Sequence, residues 1–122
     1  NIAGVGGGLY EIEGGVFDSR IAYNRSDFAT GSGNGGAGIW GVDGPIERCV
    51  VEFNDVRTVA PFYPYGGGIA FARGPVRYNI IRRNVGTRGG GIYAASGVVE
   101  YNLITGNHAW VGGGAYGGGQ SP

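Results

Sequence analysis
The sequence predicts an all-β parallel β-solenoid of about five 23-residue coils, forming one domain over 1–122. Three observations predict it. First, Gly-Gly-Gly followed by an apolar residue recurs as Gly6-Gly7-Gly8-Leu9, Gly66-Gly67-Gly68-Ile69, Gly89-Gly90-Gly91-Ile92 and Gly112-Gly113-Gly114-Ala115, with Gly36-Ala37-Gly38-Ile39 a degenerate copy. Second, taking the last glycine of each (8, 38, 68, 91 and 114) as position zero, asparagine returns at position sixteen as Asn24, Asn54, Asn84 and Asn107. Third, no stretch sustains a helical period, and the apolar runs are short, rich in Val and Ile, and broken by Gly.

Each column of the repeat has a physical role. Leu9, Ile39, Ile69, Ile92 and Ala115 follow the zero glycine, and Val16, Ile46, Val76 and Val99 occupy position eight. Ile21, Val51, Ile81 and Ile104 occupy position thirteen. These three aliphatic columns are expected to fill the interior, one per short strand, so that three strands make a coil. No coil can bury its apolar face alone, and stacking at about 4.8 Å per rung makes the core continuous. Gly14, Gly44, Gly74 and Gly97 at position six are expected at a bend where a Cβ would obstruct. Ser19, Cys49, Asn79 and Asn102 at position eleven are expected to point inward near a turn. The ladder asparagines are expected to sit in the turn itself, tolerating a left-handed backbone and bonding the asparagine above and below. The steps between coils are 30, 30, 23 and 23, so two coils carry seven extra residues each. These insertions are expected as loops within 25–35 and 55–65.

Composition excludes several classes. Glycine contributes 29 residues without the regular proline of collagen, while 42% apolar and 12% aromatic content is too hydrophobic for disorder. Nine basic residues, all Arg, balance nine carboxylates. The net charge of zero points away from nucleic acid and anionic membranes as partners. No apolar run approaches the roughly 18 residues that span a bilayer. One Cys allows no intrachain disulfide, and a lone His108 makes no metal site, so no metal and no cofactor are expected.

Asn79-Ile80-Ile81-Arg82-Arg83-Asn84 and Asn102-Leu103-Ile104-Thr105-Gly106-Asn107, together with the Gly-Gly-x-Ile strand starts, resemble the right-handed parallel β-helix of the pectate-lyase-like superfamily and of autotransporter passengers. The resemblance covers almost the whole chain. It implies a right-handed coil and an extracellular or cell-surface setting. It does not choose among the lyases, hydrolases, adhesins and fibres that share the fold.

The chemistry-bearing residues mostly read as structure. Asp43 falls over Arg73, Asp18 over Arg48 and Glu52 over Arg82, while Glu47, Arg77 and Glu100 alternate in one column. Opposite charges one rung apart are what cross-strand neighbours prefer, so no catalytic residue is assigned. Glu13 over Asp43 is the one stacked carboxylate pair a glycosidase would need, and Arg73 follows in that column. Cys49 has no aligned base. Asn24-Arg25-Ser26 has the pattern of a glycosylation sequon, but its asparagine belongs to the ladder. The four threonines share no column, which argues against ice binding.

Two features suggest a binding surface. Position two reads Tyr10, Trp40, Ala70, Tyr93 and Tyr116, an outward aromatic stripe that could stack on sugar rings, on a partner or on itself. Phe62, Tyr63 and Tyr65 add aromatics from the second insertion. At the ends, Asn1 is in phase with the ladder and Pro122 falls at position eight of a further coil, so uncapped ends are expected. The expected role is therefore a non-catalytic extracellular solenoid that associates head to tail with copies of itself. The alternative is a carbohydrate-binding or polysaccharide-cleaving module.

Overall fold
The computed structural model describes residues 2–3, 7–27, 37–57, 66–110 and 112–118. Among these every regular element is a strand, all strand pairs are parallel, and no helix is long and apolar enough to cross a membrane. The strands stack into four sheets. Sheet 1 contains Leu9–Ile12, Ile39–Val42, Ile69–Ala72, Ile92–Ala95 and Ala115–Gly118. Sheet 2 contains Val16–Phe17, Ile46–Glu47, Val76–Arg77 and Val99–Glu100. Sheet 3 contains Arg20–Ala22, Val50–Glu52, Ile80–Arg82 and Leu103–Thr105. Sheet 4 contains Ile2–Ala3, Arg25–Asp27 and Asp55–Arg57, and single bridges through Val85 and His108 continue it.

The register follows the columns of the repeat. Leu9 pairs with Ile39, Ile39 with Ile69, and Ile69 with Ile92. Ile21, Val51, Ile81 and Ile104 pair in the same way. A one-residue slip would turn every interior side chain outward, which the matched aliphatic columns forbid. Ile39, Ile46, Val51, Ile69, Val76 and Ile81 are fully buried in one cluster. An all-strand chain with parallel sheets stacked in register is consistent with a parallel solenoid.

Three expectations change. First, a fourth sheet follows the ladder asparagine. The first three residues of each expected loop, Arg25–Asp27 and Asp55–Arg57, pair with each other as strands. Pairing runs through the turn because the Asn24, Asn54 and Asn84 carbonyls accept from Asp55, Val85 and His108 N–H at 2.8–2.9 Å. The remainder of both insertions, 28–35 and 58–65, lies outside the described residues.

Second, the left-handed corner is the residue before the asparagine. Tyr23, Phe53 and Arg83 have φ of 54–58° and Gly106 has 64°. The same holds at position ten, where Asp18, Arg48, Tyr78 and Tyr101 have φ of 49–59°. For a residue with a Cβ this conformation costs about 1–2 kcal/mol. It turns the chain so that the next side chain points inward, where its polar atoms find partners.

Third, sheet 1 does not alternate. Glu11, Gly41, Phe71 and Ala94, in the third position of the repeat, also have positive φ. Positions one and four therefore both face the core, as Ile39 with Val42 and Ile69 with Ala72. Positions two and three both face out.

Candidate functional site
The ladder asparagines are brought together in an interior column. Asn24 Nδ2 donates to Asn54 Oδ1 at 3.0 Å, Asn54 Nδ2 to Asn84 Oδ1 at 2.9 Å, and Asn84 Nδ2 to Asn107 Oδ1 at 2.9 Å. The backbone N–H groups of Asn24, Asn54 and Asn84 donate to the same oxygens. A second amide proton reaches the previous rung from Asn54 Nδ2 to the Ile21 carbonyl at 3.0 Å, from Asn84 Nδ2 to the Val51 carbonyl at 2.9 Å and from Asn107 Nδ2 to the Ile81 carbonyl at 2.9 Å. Asn79 and Asn102 repeat this motif in a parallel column. Cys49 continues it with its backbone N–H alone, donating to Asn79 Oδ1 at 2.9 Å.

The zero glycine and the ladder asparagine form one unit. A Cβ on Gly68 would lie 3.0 Å from Asn84 Nδ2 and 2.6 Å from the Gly91 carbonyl oxygen, and Gly38 stands in the same relation to Asn54 and Gly68. The amide fills the space that a side chain at position zero would need.

The aromatic stripe draws on two neighbouring columns. Tyr10 stacks on Trp40 with ring centroids 5.1 Å apart and planes 20° apart. Ala70 interrupts position two, and Phe71, turned outward by its positive φ, takes its place. Phe71 lies 5.2 Å from Trp40 and 5.5 Å from Tyr93. Tyr116 pairs with Tyr93 through its backbone. Phe62, Tyr63 and Tyr65 lie outside the described residues.

Two further aromatic stacks occupy the left-handed corners, Tyr23 on Phe53 at 5.0 Å and Tyr78 on Tyr101 at 5.3 Å, both with nearly parallel rings. The guanidinium of Arg20 lies 5.5 Å from the Tyr23 ring centroid, and that of Arg83 lies 5.5 Å from the Phe53 centroid. Repeating Tyr and Phe at positions ten and fifteen was the available sequence signal. The outward direction of these columns followed only from the corner geometry.

The carboxylates are largely engaged. Arg48 holds Asp18 with two bonds, Nε–Oδ1 at 2.7 Å and Nη2–Oδ2 at 3.2 Å, and keeps its carboxyl below the usual range. Arg77 bridges Glu47 at 3.2 Å and Glu100 at 3.3 Å. Arg73 binds Asp43 and, at 3.3 Å, Glu11. Glu52 is 4% exposed and lies between Arg20 at 2.9 Å and Arg82 at 3.0 Å. Its carboxyl is also held below the usual range, first by the hydrogen bond from Arg20. Arg20 is the partner that column reading missed, because it reaches across two positions.

Burial raises the Cys49 thiol, whose Sγ lies 3.3 Å from the Glu47 carbonyl oxygen. His108 is exposed and bridges Val85 through its backbone. Among the described residues no three His, Cys, Asp or Glu side chains gather as a metal site. No protein family, curated protein or solved structure matches the chain. What geometry defines is an all-β stack of parallel sheets with interior asparagine ladders, and its candidate functional surfaces are the outer faces of those sheets.

Proposed function
We propose that the chain is a non-catalytic structural segment of a right-handed parallel β-solenoid of about five coils, acting outside the cell and associating end to end. One observation carries this reading. Asp18, Asp43, Glu47, Glu52 and Glu100 are each held by an arginine of a neighbouring rung, so charge is used to bind rung to rung. The extracellular setting rests on the family resemblance alone. Electron microscopy and sedimentation of chain 1–122 test the reading, with rods that lengthen with concentration expected. Discrete monomers at high concentration would overturn association.

A second reading, carbohydrate binding, is favoured by the aromatic stripe, in which Tyr10 is 53% exposed. The mutual stacking of Tyr10 and Trp40 weighs against it, because each covers a ring face that a sugar would use. Under this reading Trp40→Ala weakens binding to a polysaccharide. Absence of binding across a glycan panel removes it.

A further inference from the structure
Sheet 3 has an unusual outer face. Its outward position twelve carries Arg20 on the first rung and then Val50, Ile80 and Leu103, and Leu103 is 59% exposed. The exposed Tyr78–Tyr101 stack borders this apolar column on the side where each strand begins. On the side where each strand ends, Arg82 and Arg83 make a basic border, and Glu52 is held there between Arg82 and Arg20, whose side chain reaches over from the start of its strand. Arg83 has no carboxylate partner among the described residues and lies over Phe53.

The outer face of sheet 1 has the matching chemistry. Its apolar column is the Tyr10–Trp40–Phe71–Tyr93 stripe. Glu11, Glu13 and Asp43 follow the stripe in strand direction, against the single Arg73. Glu13 is exposed and has no ion-pair partner among the described residues. The zero net charge thus conceals an excess of acid beside one apolar column and an excess of base beside another.

We infer that the outer face of sheet 3 docks the outer face of sheet 1 of a second copy of this chain. The aliphatic column meets the aromatic stripe, and the Arg83 border meets the Glu13 border. On both faces the charged border comes after the apolar column along the strand. The two faces therefore register when their strands run in the same direction. Sheets packed face to face lie about 10 Å apart, and equal rung spacing keeps the two columns in step along the stack. Because the contacting patches differ, the contact is heterologous, and each copy keeps a free face for a further copy. A face four rungs long, at about 4.8 Å per rung, is small against the roughly 800 Å² per partner of a standard interface. Association is accordingly weak and salt-sensitive. This contact is independent of end-to-end stacking.

Sedimentation equilibrium of chain 1–122 over rising concentration, at low and high salt, tests the inference. Wild type is expected to self-associate at low salt and to weaken at high salt. Glu13→Arg and Arg83→Glu, each checked for an unchanged urea midpoint, are expected to weaken association about tenfold, since like charges then face each other. The double variant restores the pairing with reversed sign and is expected to recover most of it. Monomers under all conditions would overturn the inference. Association indifferent to both reversals would also overturn it while leaving end-to-end stacking in place. A third outcome is binding of the acidic polymer heparin that Arg83→Glu abolishes and Glu13→Arg spares, without self-association. That would assign the sheet 3 face to another partner and overturn the inference too.

Discussion
Replacing Asn54 by alanine tests the interior ladder at its centre. Asn54 is fully buried. Its Oδ1 accepts from Asn24 N at 3.1 Å and Asn24 Nδ2 at 3.0 Å. Its Nδ2 donates to Asn84 Oδ1 at 2.9 Å and to the Ile21 carbonyl at 3.0 Å. Alanine removes all four bonds and leaves two donors of Asn24 and the Ile21 carbonyl to find other partners in a dry interior. At about 0.5–1.5 kcal/mol per bond, with more for each partner left unsatisfied, the loss is about 4 kcal/mol. At about 4 °C per kcal/mol for a chain of this size, the melting temperature falls by roughly 15 °C. Urea unfolding followed by circular dichroism measures the loss directly. Asn54→Asp sharpens the test, because a carboxylate there would aim negative charge at two oxygens and would be held protonated. A folded-state pKa above the unfolded one means that the contribution of this carboxyl is fully present below about pH 4 and is lost as pH rises through the folded pKa. An Asn54→Ala variant within 1 kcal/mol of wild type, or an Asn54→Asp variant whose stability does not fall between pH 4 and 7, would refute the ladder as a source of stability.

Three further outcomes follow from the same geometry. Cys49→Asn places a second amide above Asn79, where Asn79 Nδ2 already shows the pattern by reaching the Ile46 carbonyl at 2.8 Å; a gain of about 1 kcal/mol is expected in the urea midpoint, and a loss would show that the site cannot take the larger side chain. Gly68→Ala forces a Cβ to within 2.6 Å of the Gly91 carbonyl oxygen and is expected to cost more than about 2 kcal/mol. Gly14→Ala, where nothing lies within 4 Å of the new Cβ, is expected to be neutral or to stabilise by about 0.5 kcal/mol; equal effects at the two positions would contradict the close-approach argument. For Glu52 the folded carboxyl is held below its usual range. Its contribution to stability is therefore present above the unfolded pKa and lost as pH falls through the lowered one. A pH series of urea midpoints should show a shallower acid limb in Glu52→Gln than in wild type, and identical limbs would contradict the clamp.

The columns could be read from sequence because each one is a side-chain requirement. Ile39, Ile69 and Ile92 must be apolar to fill the interior, and Asn54 and Asn84 must carry both a donor and an acceptor. The left-handed corners could not be read in the same way. They are a backbone choice, and Tyr23, Phe53 and Arg83, or Asp18, Arg48 and Tyr78, share no chemistry that announces positive φ. The unread corners are why Phe71 completes the aromatic stripe and why position four faces inward. The fourth sheet was hidden for a different reason. Arg25-Ser26-Asp27 has weak β-propensity, and its strand is held by pairing with Asp55–Arg57.

The interior amides have a shared orientation. From Asn24 through Asn107, every Nδ2 in the chain of side-chain bonds points its proton toward the higher-numbered rung, and the Asn79–Asn102 column runs the same way. The carbonyl dipoles of each column therefore add like magnets laid end to end, and each bond polarises the next. An inverted rung would set oxygen against oxygen at the seam. The column thus acts as an arrow, giving the stack a chemical sense of up and down that its nearly repeating outline does not display.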